Sequence, residues 1–218
     1  MGGGDPDDAT LSVTDLANAL ALVEDESAKP AGPLTGRVDG EHIAAIGHSA
    51  GGATILALAS DPEIGSRVDT YVSLASGAMT EGELPAIPSL FMLGTDDDVV
   101  VPATTVDAYE RAPDPKRFYS FEGAGHLAFS DICMIGEDQG GVLALADAFG
   151  IEVPESLERL ASDGCSPDET PPPDVWPAIN HFTTAHLRAV WGIDNPPIGL
   201  ADTGAFDDLS IEEQHVPQ

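Results

Sequence analysis

A serine lies between glycines where a strand pattern changes to a helix pattern. The six residues Gly-His-Ser-Ala-Gly-Gly, which begin at Gly47, fit the pattern Gly-x-Ser-x-Gly with Ser49 in the middle. The apolar run over residues 42–47 predicts a buried strand, and residues 50–59 predict a helix. A sharp strand-to-helix turn strains the middle residue, and Gly47 and Gly51 remove side chains that would clash. The pattern therefore predicts an exposed hydroxyl nucleophile; the alternative is a glycine-rich turn with an incidental serine.

Two later segments offer the groups that such a nucleophile needs. A serine hydroxyl is weak near neutral pH, so Ser49 requires a base, and the base requires a carboxylate that orients it. Three consecutive aspartates follow the predicted strand at residues 89–94, and we choose Asp98 among them. The next predicted strand is followed by Gly-Ala-Gly and then by His126, the predicted base. Because the carboxyl ends of parallel strands meet at one edge of a sheet, the three groups are expected to meet.

The other acids and histidines have weaker positions. Asp96 and Asp97 are predicted to be surface or loop-capping residues. His48 is adjacent to Ser49, so its ring cannot easily face the hydroxyl. The remaining histidines lie at the start of a strand, in a helical pattern or near the end of the chain: His42, His181, His186 and His215. We therefore assign the role of base to His126.

Short apolar runs alternate with helical patterns along most of the chain. Strands are predicted at residues 42–47, 70–75, 89–94 and 117–122. Helices are predicted at residues 11–27, 50–59, 102–111, 141–149, 154–162 and 175–191. This alternation indicates an α/β fold with a mostly parallel sheet flanked by helices. Residues 1–194 are predicted to form a single domain, and residues 195–218 a loose acidic tail that contains prolines.

The chain is strongly acidic. It has 8 Lys and Arg against 38 Asp and Glu in 218 residues, a formal net charge of −30. Such a surface repels phosphates and anionic headgroups, which disfavours nucleic-acid and membrane-surface binding. No apolar run is long enough to span a bilayer, and the first ten residues lack the regions of a signal peptide. The acidity indicates either adaptation to high salt or a soluble protein with an acidic tail.

Two cysteines, Cys133 and Cys165, occur in the chain. Neither belongs to a Cys-x-x-Cys pair or a Cys/His cluster, so a zinc site is disfavoured. They form either a disulfide or two buried thiols. We favour the disulfide, which would contribute roughly 3–4 kcal/mol in the chain-entropy model and implies an oxidising compartment.

Three segments of the chain resemble those of the α/β-hydrolase superfamily. They are GHSAGG around Ser49, GTDDDVVVP around Asp98 and GAGH ending in His126. The closest resemblance is to bacterial esterases of the group that includes dienelactone hydrolases, platelet-activating-factor acetylhydrolases and cutinase-like polyester hydrolases. In that group the acid lies four residues before a proline, which matches Asp98 and Pro102. The two cysteines and the helix near residue 181 resemble those of secreted members, and the resemblance covers about residues 11–194.

The resemblance implies a serine carboxylic-ester hydrolase that uses Ser49, His126 and Asp98 through an acyl-enzyme. It implies no metal and no organic cofactor. The implied substrates are small or medium acyl esters, with aromatic polyesters such as poly(ethylene terephthalate) as a further class, and the implied location is extracellular. Two other interpretations stay open: an amidase or peptidase on the same fold, and a catalytically weak module for binding or structure.

The front of the chain departs from that superfamily. Several strands precede the nucleophile in these hydrolases, and a loop after the third carries an oxyanion donor, whereas residues 1–40 have room for one helix and loops. We assign one oxyanion donor, the backbone N–H of Ala50, and leave the second open; Gly2–Gly4 is either a glycine-rich oxyanion loop or a flexible start. The expected fold is thus N-terminally truncated, as a fragment, a truncated gene or a natural minimal form. The strand before Ser49 becomes an open edge, which predicts self-association or marginal stability.

Overall fold

The computed structural model describes residues 6–77, 83–206 and 209–215. In these residues five strands form one sheet in the order β1-β2-β3-β4-β5. The strands are β1 (Ala44–His48), β2 (Thr70–Leu74), β3 (Ser89–Gly94), β4 (Lys116–Phe121) and β5 (Ile211–His215). Strands β1 to β4 are parallel, and β5 is antiparallel to β4. The predicted α/β fold with a mostly parallel sheet is confirmed.

Six α-helices lie in the described part of the chain. They are α1 (Pro6–Ala28), α2 (Ala50–Ser60), α3 (Pro102–Arg111), α4 (Gly141–Ala148), α5 (Glu155–Leu160) and α6 (Pro172–Val190). Each of them corresponds to a predicted helix, with ends that differ by a few residues. Short 3-10 helices lie at Gly65–Arg67, His126–Phe129, Ile132–Met134, Glu137–Gln139 and Thr203–Ala205. None of the helices in the described ranges is long and apolar enough to cross a membrane.

The sheet carries a hydrophobic core on each face. One core includes Tyr71 and Phe91 together with residues of α2 and α3. The other includes Tyr119 and Phe182 of α6, whose rings stack with centroids 3.9 Å apart. Strands β2 and β3 are buried on both faces, which explains why they read as continuous apolar runs. The parallel strands, packed on both faces, therefore fix the positions at which the loops after their carboxyl ends begin.

Leu200 and residues 211–215 pack against the sheet, unlike the loose tail predicted for residues 195–218. Residues 211–215 pair with β4 along their whole length. Leu200 is 7% exposed, and its carbonyl oxygen accepts a hydrogen bond from the hydroxyl of Tyr119. The prediction of a tail with little to pack is therefore wrong for this part. Acidic composition predicts disorder, but a backbone ladder with β4 does not depend on composition.

Strand β1 lies at one edge of the sheet, as expected for the strand before Ser49. The backbone N–H of Ser49 donates to Leu74 of β2 at 3.0 Å. Since successive residues of a strand alternate in direction, Ala44 and Ile46 direct their backbone polar groups away from β2. The side chain of Ile46 is 46% exposed in the middle of the strand. The edge is therefore apolar as well as short.

Candidate active site

Ser49 occupies a strained turn between β1 and α2. Its φ is 56° and its ψ −125°, a left-handed region that side chains rarely adopt. Gly47 permits the turn, because a Cβ there would overlap the backbone of Gly51. Gly51 faces open space, so the prediction that it also relieves a clash is wrong. Gly52 does so instead, since a Cβ there would overlap the side chain of Ser76.

His126 is the histidine that contacts Ser49. It begins the short helix that follows β4, in what we call the histidine loop, residues 122–129. Its Nε2 atom lies 2.9 Å from the Oγ atom of Ser49. The His126 side chain is fully buried, whereas Ser49 is half-buried. The structure thus brings the predicted nucleophile and base within hydrogen-bond distance of each other.

The carboxylate on the other side of His126 is Asp97, not Asp98. Asp97 is 2% exposed, and its Oδ2 atom lies 2.9 Å from Nδ1 of His126. Its Oδ1 atom accepts the backbone N–H groups of Val99 and Val100 at 2.9 and 2.7 Å. These bonds close a tight turn in the acid loop, residues 95–101, which directs Asp97 inward. Asp98 is exposed, so its selection as the orienting carboxylate is corrected to Asp97.

The hydrogen bonds of these three side chains have a defined direction. A carboxylate only accepts, so Nδ1 of His126 carries a proton and donates it to Asp97. The neutral ring then has a free electron pair on Nε2, which accepts the hydroxyl proton of Ser49. This is the tautomer in which an imidazole can remove a proton from serine.

The backbone N–H of Ala50 lies at the N-terminus of α2, directly after Ser49. The first N–H groups of a helix have no intrahelical acceptor and carry the positive end of the helix dipole. Ala50 is exposed, and its N–H is the donor that we assign to the oxyanion. Gly2–Gly4 lies outside the described residues, and the second oxyanion donor stays unassigned.

His48 supports the histidine loop, a role that the sequence analysis missed. Burial, and to a smaller extent the nearby His126, lowers the pKa of His48 to about 4. The neutral ring has its Nε2 atom 3.0 Å from the backbone oxygen of His126. Because a carbonyl oxygen only accepts, His48 donates this bond. The position of His48 beside Ser49 in the sequence excluded it as the base. It did not indicate that the His48 ring reaches the histidine loop after β4.

Asp163 was also missed, because no motif marks it. It lies between α5 and α6, and its carboxylate accepts the backbone N–H of His126 and, at 3.0 Å, that of Asp98. Two residues later, Cys165 is bonded to Cys133, which confirms the predicted disulfide. Its position two residues before Cys165 was the only signal in the sequence.

The other histidines have partners elsewhere. His42 is paired with Asp39 at 2.7 Å, and His181 lies 2.8 Å from the backbone oxygen of Gly199. His186 is buried with its Nε2 atom 2.7 Å from the hydroxyl oxygen of Thr70. Burial, aided by the charge of Arg117, lowers the pKa of His186 to about 4. His215 belongs to β5, and its side chain lies outside the described part.

A cavity of about 810 Å³ is lined by residues of the acid loop and by the segments around Cys133 and Cys165. Its acidic lining includes Asp96, Asp98 and Glu137, with Arg159 as a cationic neighbour. Its lining includes Asp98 but neither Ser49 nor His126, so we do not assign substrate to it. In the described ranges, no group of three or more His, Cys, Asp or Glu side chains is placed to hold a metal ion.

Comparison with known protein families gives no matching family model, and no curated protein sequence matches the chain. The resemblance of three short segments to α/β-hydrolases therefore stays a prediction.

Proposed function

We propose that this protein is a serine hydrolase that cleaves carboxylic esters through an acyl-enzyme. The observation that carries the proposal is the continuous series from Ser49 Oγ through His126 to Asp97, with 2.9 Å at both steps. A hydroxyl, an imidazole and a buried carboxylate in this order activate serine for attack on a carbonyl carbon. The order Ser49, Asp97, His126 along the chain is that of α/β-hydrolases.

In the proposed reaction, His126 accepts the hydroxyl proton while Oγ of Ser49 attacks the ester carbonyl. The negative charge that develops on the carbonyl oxygen is stabilised by the backbone N–H of Ala50 and the N-terminus of α2. Asp97 remains ionised and stabilises the imidazolium. The imidazolium then protonates the leaving alcohol. In the second half, His126 accepts a proton from a water molecule that attacks the acyl carbon. The bond between that carbon and Oγ then breaks, the imidazolium returns the proton to Ser49, and the carboxylic acid leaves.

The proposal includes an α/β-hydrolase fold. Its support is the placement of the three groups after successive parallel strands: Ser49 after β1, Asp97 after β3 and His126 after β4. The turn at Ser49 has the positive φ that a nucleophile on such a turn requires. The disulfide supports an extracellular location.

The proposed substrates are esters with small or medium acyl groups, as the motif resemblance implies. Ser49 is half-buried and Ala50 is exposed, which supports substrates that approach from an open surface. Aromatic polyesters fit such an approach and form the second substrate class that we propose to test.

A serine-directed phosphonate together with p-nitrophenyl esters of increasing acyl length tests the proposal. We expect a single label at Ser49, a burst of p-nitrophenol and no label in Ser49→Ala. Labelling that persists in Ser49→Ala contradicts the assignment. Absence of both label and turnover favours the binding or structural module, and faster cleavage of amide than of ester analogues favours the amidase interpretation.

A further inference from the structure

We propose that Asp163 is a positioning residue that holds the acid loop and the histidine loop together, and that the Cys133–Cys165 disulfide keeps Asp163 in place. This inference rests on the proposed function, because the two loops carry the carboxylate and the base of the proposed reaction. Asp163 itself touches neither substrate nor reacting atoms.

The carboxylate of Asp163 connects the two loops directly. Its Oδ1 atom accepts the backbone N–H of His126, and its Oδ2 atom accepts the backbone N–H of Asp98 at 3.0 Å. One N–H belongs to the base, and the other belongs to the residue that follows Asp97. A single planar group therefore fixes both ends of the bond between His126 and Asp97.

Because the carboxylate of Asp163 is buried, it depends on its hydrogen bonds to the two loops. Asp163 is 9% exposed, and a buried carboxylate is costly unless hydrogen bonds compensate for its lost hydration. Bonds from N–H groups to an ionised carboxylate are stronger than neutral ones. Release of either loop would leave part of this charge unsatisfied, so the ionised group favours the arrangement in which both loops are held.

The backbone at Gly164 lies so close to the histidine loop that no side chain would fit between them. The carbonyl oxygen of Asp163 accepts the N–H of Leu127 at 2.9 Å. Gly164 has a φ of +93°, and a Cβ there would lie 2.8 Å from the backbone nitrogen of Leu127. A Cβ at Gly125 would overlap the backbone of Gly164. A displacement of the Asp163 segment is therefore transmitted to the histidine loop.

Two constraints hold the Asp163 segment on its other side. Cys165 is bonded to Cys133, which follows the histidine loop. The carboxylate of Glu169 accepts the N–H groups of Gly164 and Ser166 at 3.0 and 2.7 Å. The disulfide thus joins the segment that follows His126 to the segment that carries Asp163, and both flank the same pair of loops.

Asp163→Asn tests the proposal, because an amide has one acceptor oxygen and presents a donor to the second N–H. We expect kcat for p-nitrophenyl butyrate to fall about tenfold or more with KM nearly unchanged, since small misplacements of catalytic groups are costly. The downfield proton resonance of the His126 Nδ1–H, identified by its loss in His126→Gln, should shift or broaden. Asp168→Asn is the matched control: it makes the same change at an exposed site in the same segment, and both readouts should stay as in the wild type.

The two readouts separate the possible failures. If the wild type hydrolyses no ester, the proposed function fails, while the resonance still reports whether Asp163 positions His126. If the wild type is active and Asp163→Asn keeps both kcat and the resonance, the positioning role is wrong. Should Asp163→Asn not fold, reduction of the folded wild type loosens the same segment. An unchanged kcat and resonance after reduction would then overturn the proposal.

Discussion

The Nδ1 atom of His126 lies 2.9 Å from the Oδ2 atom of Asp97, and neither side chain is exposed to solvent. The pair is shielded from the salt and water that weaken surface interactions. Ser49, on the other side of the imidazole, is half-buried. The hydrogen-bonded series thus begins in the interior and ends at the hydroxyl.

The first prediction distinguishes the two neighbouring aspartates. Asp97→Asn places an amide beside Nδ1 of His126 and favours the wrong tautomer, so kcat should fall on the order of 10⁴-fold, the cost of this change in a serine protease. Asp98→Asn is the matched control, because it makes the same change one residue away at an exposed side chain, and we expect less than about a tenfold loss there. Ester hydrolysis by the two purified variants provides the measurement. Equal losses would contradict the assignment of Asp97.

The second prediction concerns acid stability. The folded-state pKa of His186, about 4, lies below its ordinary value of 6.5, so the folded protein resists protonation there. The stability that depends on neutral His186 is present above pH 6.5 and is lost as the pH falls toward 4. Between pH 7 and pH 5 this loss is about 2 kcal/mol of unfolding free energy.

Urea unfolding of His186→Gln at pH 7 and pH 5, at constant salt, measures this contribution. Glutamine does not titrate and retains a donor for Thr70, so the variant should lose less stability than the wild type over this interval. His42→Gln is the control, because the hydrogen bond to Asp39 raises the pKa of the exposed His42 instead. An equal pH dependence in His186→Gln and the wild type would show that His186 does not contribute.

The third prediction follows from the net charge of −30. Self-repulsion of a strongly acidic surface weakens as salt shortens the Debye length from about 30 Å at 0.01 M to about 3 Å at 1 M. The thermal midpoint of the protein should therefore rise steadily from low to molar NaCl. A flat or falling curve would leave the acidity as a property that affects solubility alone.

The fourth prediction concerns the open edge at β1. Ile46 is 46% exposed on this edge strand, and an apolar edge is a template for pairing with another chain. Light scattering should therefore show self-association that increases with concentration. Ile46→Lys should shift the protein toward monomer, because a charge on an edge strand opposes pairing.

A strictly monomeric wild type would contradict the prediction that β1 pairs with another copy of the chain. Monomeric protein with rapid ester turnover would also show that a second group joins Ala50 in stabilising the oxyanion. Loss of one such donor costs roughly a hundred- to a thousand-fold in turnover, so an enzyme with one oxyanion donor and an enzyme with two differ clearly in rate.

Much of the architecture could be predicted because it depends on local patterns. The buried strands β2 and β3 are continuous apolar runs, and Pro102 begins α3 at the first helical turn, where proline is favoured. The turn at Ser49 could be predicted as well, because the glycines beside Ser49 are also a local pattern. Strand β5 could not be predicted, since its acidic segment is ordered by pairing with β4, a partner distant in the sequence.

The sequence by itself determined that Ser49 and His126 follow parallel strands, because the strands and the residues after them are local features. Only the tertiary structure decided which aspartate faces His126. Three consecutive aspartates are chemically identical, and the turn of the acid loop selects Asp97 through bonds to Val99 and Val100. The bond from the N–H of Asp98 to Asp163 holds that loop from a segment far along the chain. Such contacts leave no periodic or compositional pattern, because each depends on where separate segments meet in space.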